Sequence, residues 1–212
     1  MTLKTDSKKS DMILRNCRNH KEEEKVATYA KQYFDFDVYE KNSGSNPDAK
    51  LQMDINEIKV EDITLRIGMT YTEILELGFT PVSDDFAETE PGALASLSNF
   101  KTPGDCYVTL GFIADEGKKV SEGTLYLVRL GGSEITEKPA SGSVDSIQYD
   151  SSSIEDIIAA FGDPYRIDDV KYDGEYKLKL QYNMEEHSMY INITIDPDTG
   201  KLLALGIEGY TD

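Results

Sequence analysis

The chain has no tryptophan, only two cysteines, two histidines and seven prolines in 212 residues, and its 22 basic residues face 40 acidic ones. Each shortage excludes something. Cys17 and Cys106 are too few for a disulfide framework, and no CxxC or Cys/His spacing suggests a zinc site. Free thiols fit a reducing cytosol, or an exported protein that does not rely on disulfides. There is no P-loop, no dinucleotide glycine fingerprint and no Gly-x-Ser-x-Gly nucleophile turn. No apolar run reaches membrane-spanning length, so no membrane span is expected. The first ten residues, Met1 to Ser10, carry no apolar signal core. The expected location is cytoplasmic if that N-terminus is native, and extracytoplasmic and anchored if a signal or anchor was removed.

The net charge of −18 is spread along the chain, with 8 basic against 16 acidic residues over 50–142 and 5 against 15 over 143–212. Such a surface repels nucleic acid and anionic membrane. It suits another protein as partner, one with a basic surface, and no nucleic acid.

What is present is led by two capped helices. Ser153 stands three residues before Asp156, a near-capping-box, and Ile154, Ile157, Ile158 and Phe161 recur at helical spacing before Gly162 and Pro164. Thr70 and Glu73 make a capping-box pair ahead of Ile74, Leu75 and Leu77, with Gly78 as the stop and Pro81 as the break.

Strands are predicted around them. Phe34, Phe36 and Val38 alternate with Asp35 and Asp37, and Leu51, Met53 and Ile55 alternate likewise. Extended stretches follow over 58–67, 107–113, 123–130 and 144–149. Tyr176, Leu178, Leu180 and Tyr182 alternate with Lys177, Lys179 and Gln181, a strand with one wet face. Met189, Ile191, Ile193 and Ile195 repeat the pattern, and Leu203, Leu205 and Ile207 close it. Residues 82–105 read as a long irregular loop. The reading is α+β, with two small modules, each a helix packed on a mostly antiparallel sheet, and an N-terminal helical segment. The divisions are 1–49 for tail, helix and linker, 50–142 for the first module and 143–212 for the second.

Ile67-Gly68-Met69-Thr70 with Glu73 and Gly78, and Ser153, Asp156 and Phe161-Gly162-Asp163-Pro164, carry a resemblance over residues 60–212. The pattern resembles the tandem modules of the beta-lactamase-inhibitor-protein and outer-membrane-assembly-lipoprotein class. It also looks like uncharacterised extracytoplasmic proteins of Gram-positive bacteria. The resemblance implies a fold and a protein-binding habit, and no catalytic residues.

Asp196-x-Asp198-x-Gly200 resembles the start of a calcium loop, but the twelfth position falls on Ile207 instead of a glutamate, so it reads as a turn. Asp84, Asp85, Glu88 and Glu90 form an acidic group in the 82–105 loop; Asp168, Asp169, Asp173 and Glu175 form another. His187 follows Glu185-Glu186 in an expected turn. Tyr172, Tyr176, Tyr182, Tyr190 and Tyr210 crowd the second half, and tyrosine on a sheet suits protein recognition.

The expected function is a non-enzymatic protein-binding module of inhibitor, immunity or envelope-accessory type. It acts through a sheet face or the 82–105 loop. Tyr176, Tyr182, Tyr190, Asp84, Asp85, Glu88 and Glu90 are the candidate contacts, and no cofactor is expected. The alternative is a metal-dependent hydrolase using the acidic loop residues and His187 as base.

Overall fold

The computed structural model describes residues 20–42, 44–51, 55–90, 96–133, 135, 138–184 and 189–209. Two helices come first, α1 (His20–Ala30) and α2 (Phe36–Lys41). The alternation over Phe34 to Val38 predicts a strand, and the structure has α2 there instead. The Asp35 carboxylate accepts the Asp37 amide at 3.1 Å, so Asp35 caps a helix and Asp37 is its first-turn acid. The predicted strand at Leu51 to Ile55 includes residues 52–54, which lie outside the described residues.

The chain then runs through a hairpin, β1 (Glu57–Val60) and β2 (Ile63–Arg66), and helix α3 (Tyr71–Glu76). Strands β3 (Thr80–Pro81), β4 (Ser96–Lys101), β5 (Tyr107–Ile113) and β6 (Thr124–Gly131) follow. A second hairpin comes next, β7 (Gly142–Val144) and β8 (Ile147–Gln148), with helix α4 (Ile154–Phe161) after it. Strands β9 (Arg166–Tyr172), β10 (Glu175–Met184), β11 (Met189–Ile195) and β12 (Leu202–Gly209) complete the described chain. The order hairpin, helix, four strands therefore occurs twice. Two sequence readings are corrected. The loop expected over 82–105 contains β4 and a short 3-10 turn at Phe86–Glu88, and the second helix is followed by four strands, not three.

The result is an α+β fold dominated by antiparallel sheet. An eight-stranded sheet has the order β3-β4-β5-β6-β12-β11-β10-β9, and a four-stranded one the order β2-β1-β7-β8. Every pairing between named strands is antiparallel. The two strand series join where β6 pairs β12, from Leu127 opposite Glu208 to Gly131 opposite Ala204. The hairpins join where β1 pairs β7.

Both helices α3 and α4 start as their sequences dictate. Thr70 Oγ1 accepts the Glu73 amide at 3.3 Å, and Glu73 Oε2 accepts the Thr70 amide at 2.7 Å. Ser153 and Asp156 repeat the exchange at 3.3 and 2.8 Å, so aspartate completes the box as well as glutamate does.

The helices and the small sheet pack on one face of the large sheet. Tyr71 of α3 meets Phe112 with ring centroids 5.2 Å apart, and Phe161 of α4 meets Tyr182 at 5.4 Å. Gly142 of the small sheet lies against Leu130 of β6. One buried cluster runs from Val26 to Ile207 through both strand series. At its margin Lys177, 7% exposed, donates to Glu175 at 2.8 Å and Asp196 at 2.9 Å.

Candidate binding face

The pleat decides which residues face away from that core. In β10, Leu178, Leu180, Tyr182 and Met184 are buried, so Lys179, Gln181 and Asn183 point to the opposite side. In β11 the same rule sends Tyr190, Asn192 and Thr194 outward. Register then assembles two rows across the open face. Arg166, Gln181, Asn192, Gly206, Arg129, Thr109 and Asn99 stand opposite one another in succession. Beside them run Asn183, Tyr190, Glu208, Leu127, Gly111 and Leu97.

Side-chain hydrogen bonds tie the first row together near its two ends and link it to Glu208 of the second. Gln181 Nε2 donates to Asn192 Oδ1 at 3.2 Å, and Asn192 Nδ2 donates on to Glu208 Oε2 at 3.3 Å. Thr109 Oγ1 donates to Asn99 Oδ1 at 3.0 Å. Such a network fixes the rotamers it joins and presents a preformed polar surface.

Gly206 opens the middle of the row. A β-carbon there would sit 2.5 Å from the Val128 carbonyl oxygen and 3.1 Å from Arg129 Cα, so only glycine fits. In the second row a β-carbon on Gly111 would meet Tyr126 Cε1 at 2.5 Å and Leu97 Cδ2 at 2.6 Å. Tyr126 and Leu97 therefore close over Gly111. A register shift between Gly111 and Phe112 inserts Tyr126 as the extra residue of a bulge, aiming its ring there. With Leu127 they form a compact apolar patch in which Tyr126 and Leu127 are buried and only the outer tip, Leu97, is 47% exposed.

A depression of about 270 Å³ lies in the open face beside this patch. Leu127, Arg129, Lys171, Lys179, Asn192, Gly206 and Glu208 are among the residues that line it. Its charged lining residues are three basic and one acidic, the reverse of the chain's overall balance.

The predicted contact residues scatter. Tyr182 is not on a binding surface. It is 1% exposed, packs on Phe161, and donates its hydroxyl to the Gly162 carbonyl at 3.4 Å. Burial first, then nearby Tyr39 and Asp163, push its phenol well above the usual range. Tyr176 is half-buried against the core cluster. Tyr190 alone of the three sits on the open face, opposite Asn183 and Glu208. Asp84, Asp85, Glu88 and Glu90 are all exposed, beside edge strand β3, while β9 at the far edge borders the depression. Glu88 is ion-paired with Lys119. Among the described residues no group of three or more His, Cys, Asp or Glu side chains could hold a metal ion. His187 and Tyr210 lie outside the described residues. Asp168 and Asp169, read from the sequence only as part of an acidic group, are in strand β9, where Arg166 Nε holds Asp168 Oδ2 at 2.6 Å. Cys106 is half-buried next to β5, its thiol pushed up by burial and then by Glu61.

Sequence reasoning missed Arg129, Asn99, Thr109, Gly206 and the Leu97–Tyr126–Leu127 patch. One signal was available for part of the face. Lys177, Lys179 and Gln181 already read as the wet phase of their strand, which places Tyr176 and Tyr182, in the other phase, inside. No described helix is long and apolar enough to cross a membrane. No family model, curated protein or solved structure matches the chain.

Proposed function

We propose that the chain is a protein-binding module of inhibitor, immunity or envelope-accessory type. Its contact surface is the open face of the eight-stranded sheet. The observation that supports this most is the pairing, on one face, of an apolar patch at Leu97, Tyr126 and Leu127 with a polar row from Gln181 to Asn99 that is hydrogen-bonded between side chains at each end. α3, α4 and the small sheet pack on the other face. Aromatic and arginine side chains beside apolar area, ringed by polar groups, are the composition of protein interfaces. In the same reading the chain is a duplicated module, residues 50–142 and 143–212, with each copy adding four strands to a shared sheet. The acidic surface steers in a partner with a basic surface from a distance.

The test is a pull-down with the whole chain as bait against cytosolic and envelope extracts of the source cell. Wild type is compared with Leu97→Asp, Asn192→Glu and the double variant Asp84→Asn, Asp85→Asn. The expected result is one stoichiometric partner, captured at least about tenfold less by the two sheet-face variants. Loss confined to the acidic-loop variant would move the contact to the 82–105 segment. Absence of a partner from both extracts would sink the reading.

A further inference from the structure

We infer that the depression beside Leu127 is a carboxylate seat that receives an acidic turn of the partner protein. This rests on the sheet-face reading above and specifies what that face takes.

Charge is the first ground. The chain carries 40 acidic residues against 22 basic, yet Arg129, Lys171 and Lys179 line the depression with Glu208 as the one acid. Glu208 accepts from the neutral Asn192 amide and keeps its charge, so the lining holds three cations against one anion. Lys179 stands opposite Asp168 in the ladder, but Asp168 is held by Arg166 at 2.6 Å. Among the described residues Lys179 makes no ion pair, and it is half-buried at the rim of the depression. An ammonium in that position gains most from an incoming anion, because a partly desolvated charge pair is screened less than an exposed one.

Shape is the second ground. The Arg129 Nε is withdrawn from solvent, and the side chain lies next to Gly206, which has nothing to raise the floor. Arg129 adds a permanent positive charge to the lining beside Lys179 and Lys171. At about 270 Å³ the space is below the range of ordinary small-molecule sites and holds one or two side chains. Leu127 lines the depression and also belongs to the apolar patch, so the two surfaces are continuous. A turn that carries Asp or Glu at its tip and an apolar residue beside it would fill both. The long-range field thus attracts a basic surface while the contact centre selects an acid.

The experiment is selection from a displayed library of hairpin loops with randomised tips, using the full chain as target. Binding clones are then measured against Lys179→Glu, Arg129→Gln and Leu97→Asp. Thermal unfolding checks that each variant is folded, and Lys179→Glu stands if Arg129→Gln fails. The expected result is clones enriched in Asp or Glu that bind Lys179→Glu about tenfold or more weakly. Clones without acidic enrichment that still lose binding on Leu97→Asp overturn the carboxylate seat and leave the sheet face intact. Clones indifferent to all three substitutions overturn both. A selection that yields no clone dependent on Lys179 or Arg129 also overturns the seat.

Discussion

Residues 57–131 and 142–209 follow the same order of elements but fill their interiors differently. In the first region α3 is six residues long and buries only Tyr71 and Ile74. The volume beneath it is taken by rings, with Tyr71, Phe86, Phe100 and Phe112 in mutual contact at centroid distances of 5.2 to 6.2 Å. In the second, α4 is eight residues long with Phe161 on Tyr182 as its ring contact, and Leu178, Leu180, Ile191, Ile193 and Ile207 are aliphatic members of the buried cluster. Its first two strands are longer too, seven residues in β9 and ten in β10 against two in β3 and six in β4. A short helix over short strands needs large side chains to close the core. Longer strands with β-branched residues close it by many smaller contacts.

The largest test of that contrast is deletion in the two interiors. Phe112→Ala should cost about 4 kcal/mol, and Leu180→Ala about 3 kcal/mol, because a lost ring leaves a space its rigid neighbours cannot collapse into. Denaturant unfolding of each variant measures this. Both should keep a single transition, since one buried cluster and the β6–β12 pairing join the regions. Two separated transitions would break the comparison by showing the regions unfold independently.

The next contrast is electrostatic. In the first region Arg66–Glu57, Lys101–Asp105, Lys118–Glu122 and Lys119–Glu88 all have both side chains about half exposed. Such pairs contribute little, because solvent and salt screen them and ordering two long side chains costs entropy. The Lys177–Asp196 pair in the second is 9% and 15% exposed. Burial works against both charges. Hydrogen bonds from Lys177 and Thr199 outweigh it at Asp196 and hold that carboxyl below its usual range. The bonds to Glu175 and Asp196 likewise outweigh burial at Lys177 and raise it. Asp196→Asn should therefore cost about 2 kcal/mol at neutral pH. A depressed folded pKa gives stability that is full above the unfolded value of about 3.9 and is lost as pH falls through the folded one. The gap in Tm between wild type and Asp196→Asn should close as pH drops below about 4. On the alkaline side the raised Lys177 gives stability that is full below about 10.4 and fades above it. Lys101→Ala should show almost no effect in the same series.

The same regions show why some of this was legible and some was not. Capping is local, so Thr70 with Glu73 and Ser153 with Asp156 could be read directly and lie where the residues dictate. Strands β10 to β12 were legible because one face is dry and the other wet. Strand β4 was hidden because Ser96, Ser98 and Asn99 blur that alternation. Strand β9 was hidden by Asp168-Asp169, charges that an edge strand tolerates and a central one does not. At Phe34 to Val38 alternation misled, since Asp35 serves as a cap. The open face had no local signature. Asn99, Arg129 and Gln181 become neighbours of one row only through registers set between strands distant in sequence.

The smallest effect separates the two caps. Each box satisfies donors that the first turn of a helix leaves open, so Thr70→Ala and Ser153→Ala should each cost about 1 kcal/mol. They should not cost the same. In six-residue α3 the capped turn is most of the helix, and Tyr71 N–H also reaches the Gly123 carbonyl at 3.2 Å, tying that turn to the strand beside it. Loss of the Thr70 hydroxyl therefore loosens a junction as well as a helix end. In α4 a second full turn with Ile157 and Phe161 buried holds the helix after its cap is gone. The expected order is a larger loss for Thr70→Ala. Hydrogen exchange should show deprotection that spreads from Glu73 toward Leu77 in one variant and stays at Asp156 in the other. The reverse order would mean that the ring cluster anchors α3 without its cap, and that aromatic packing, more than helix length, sets local stability in the first region.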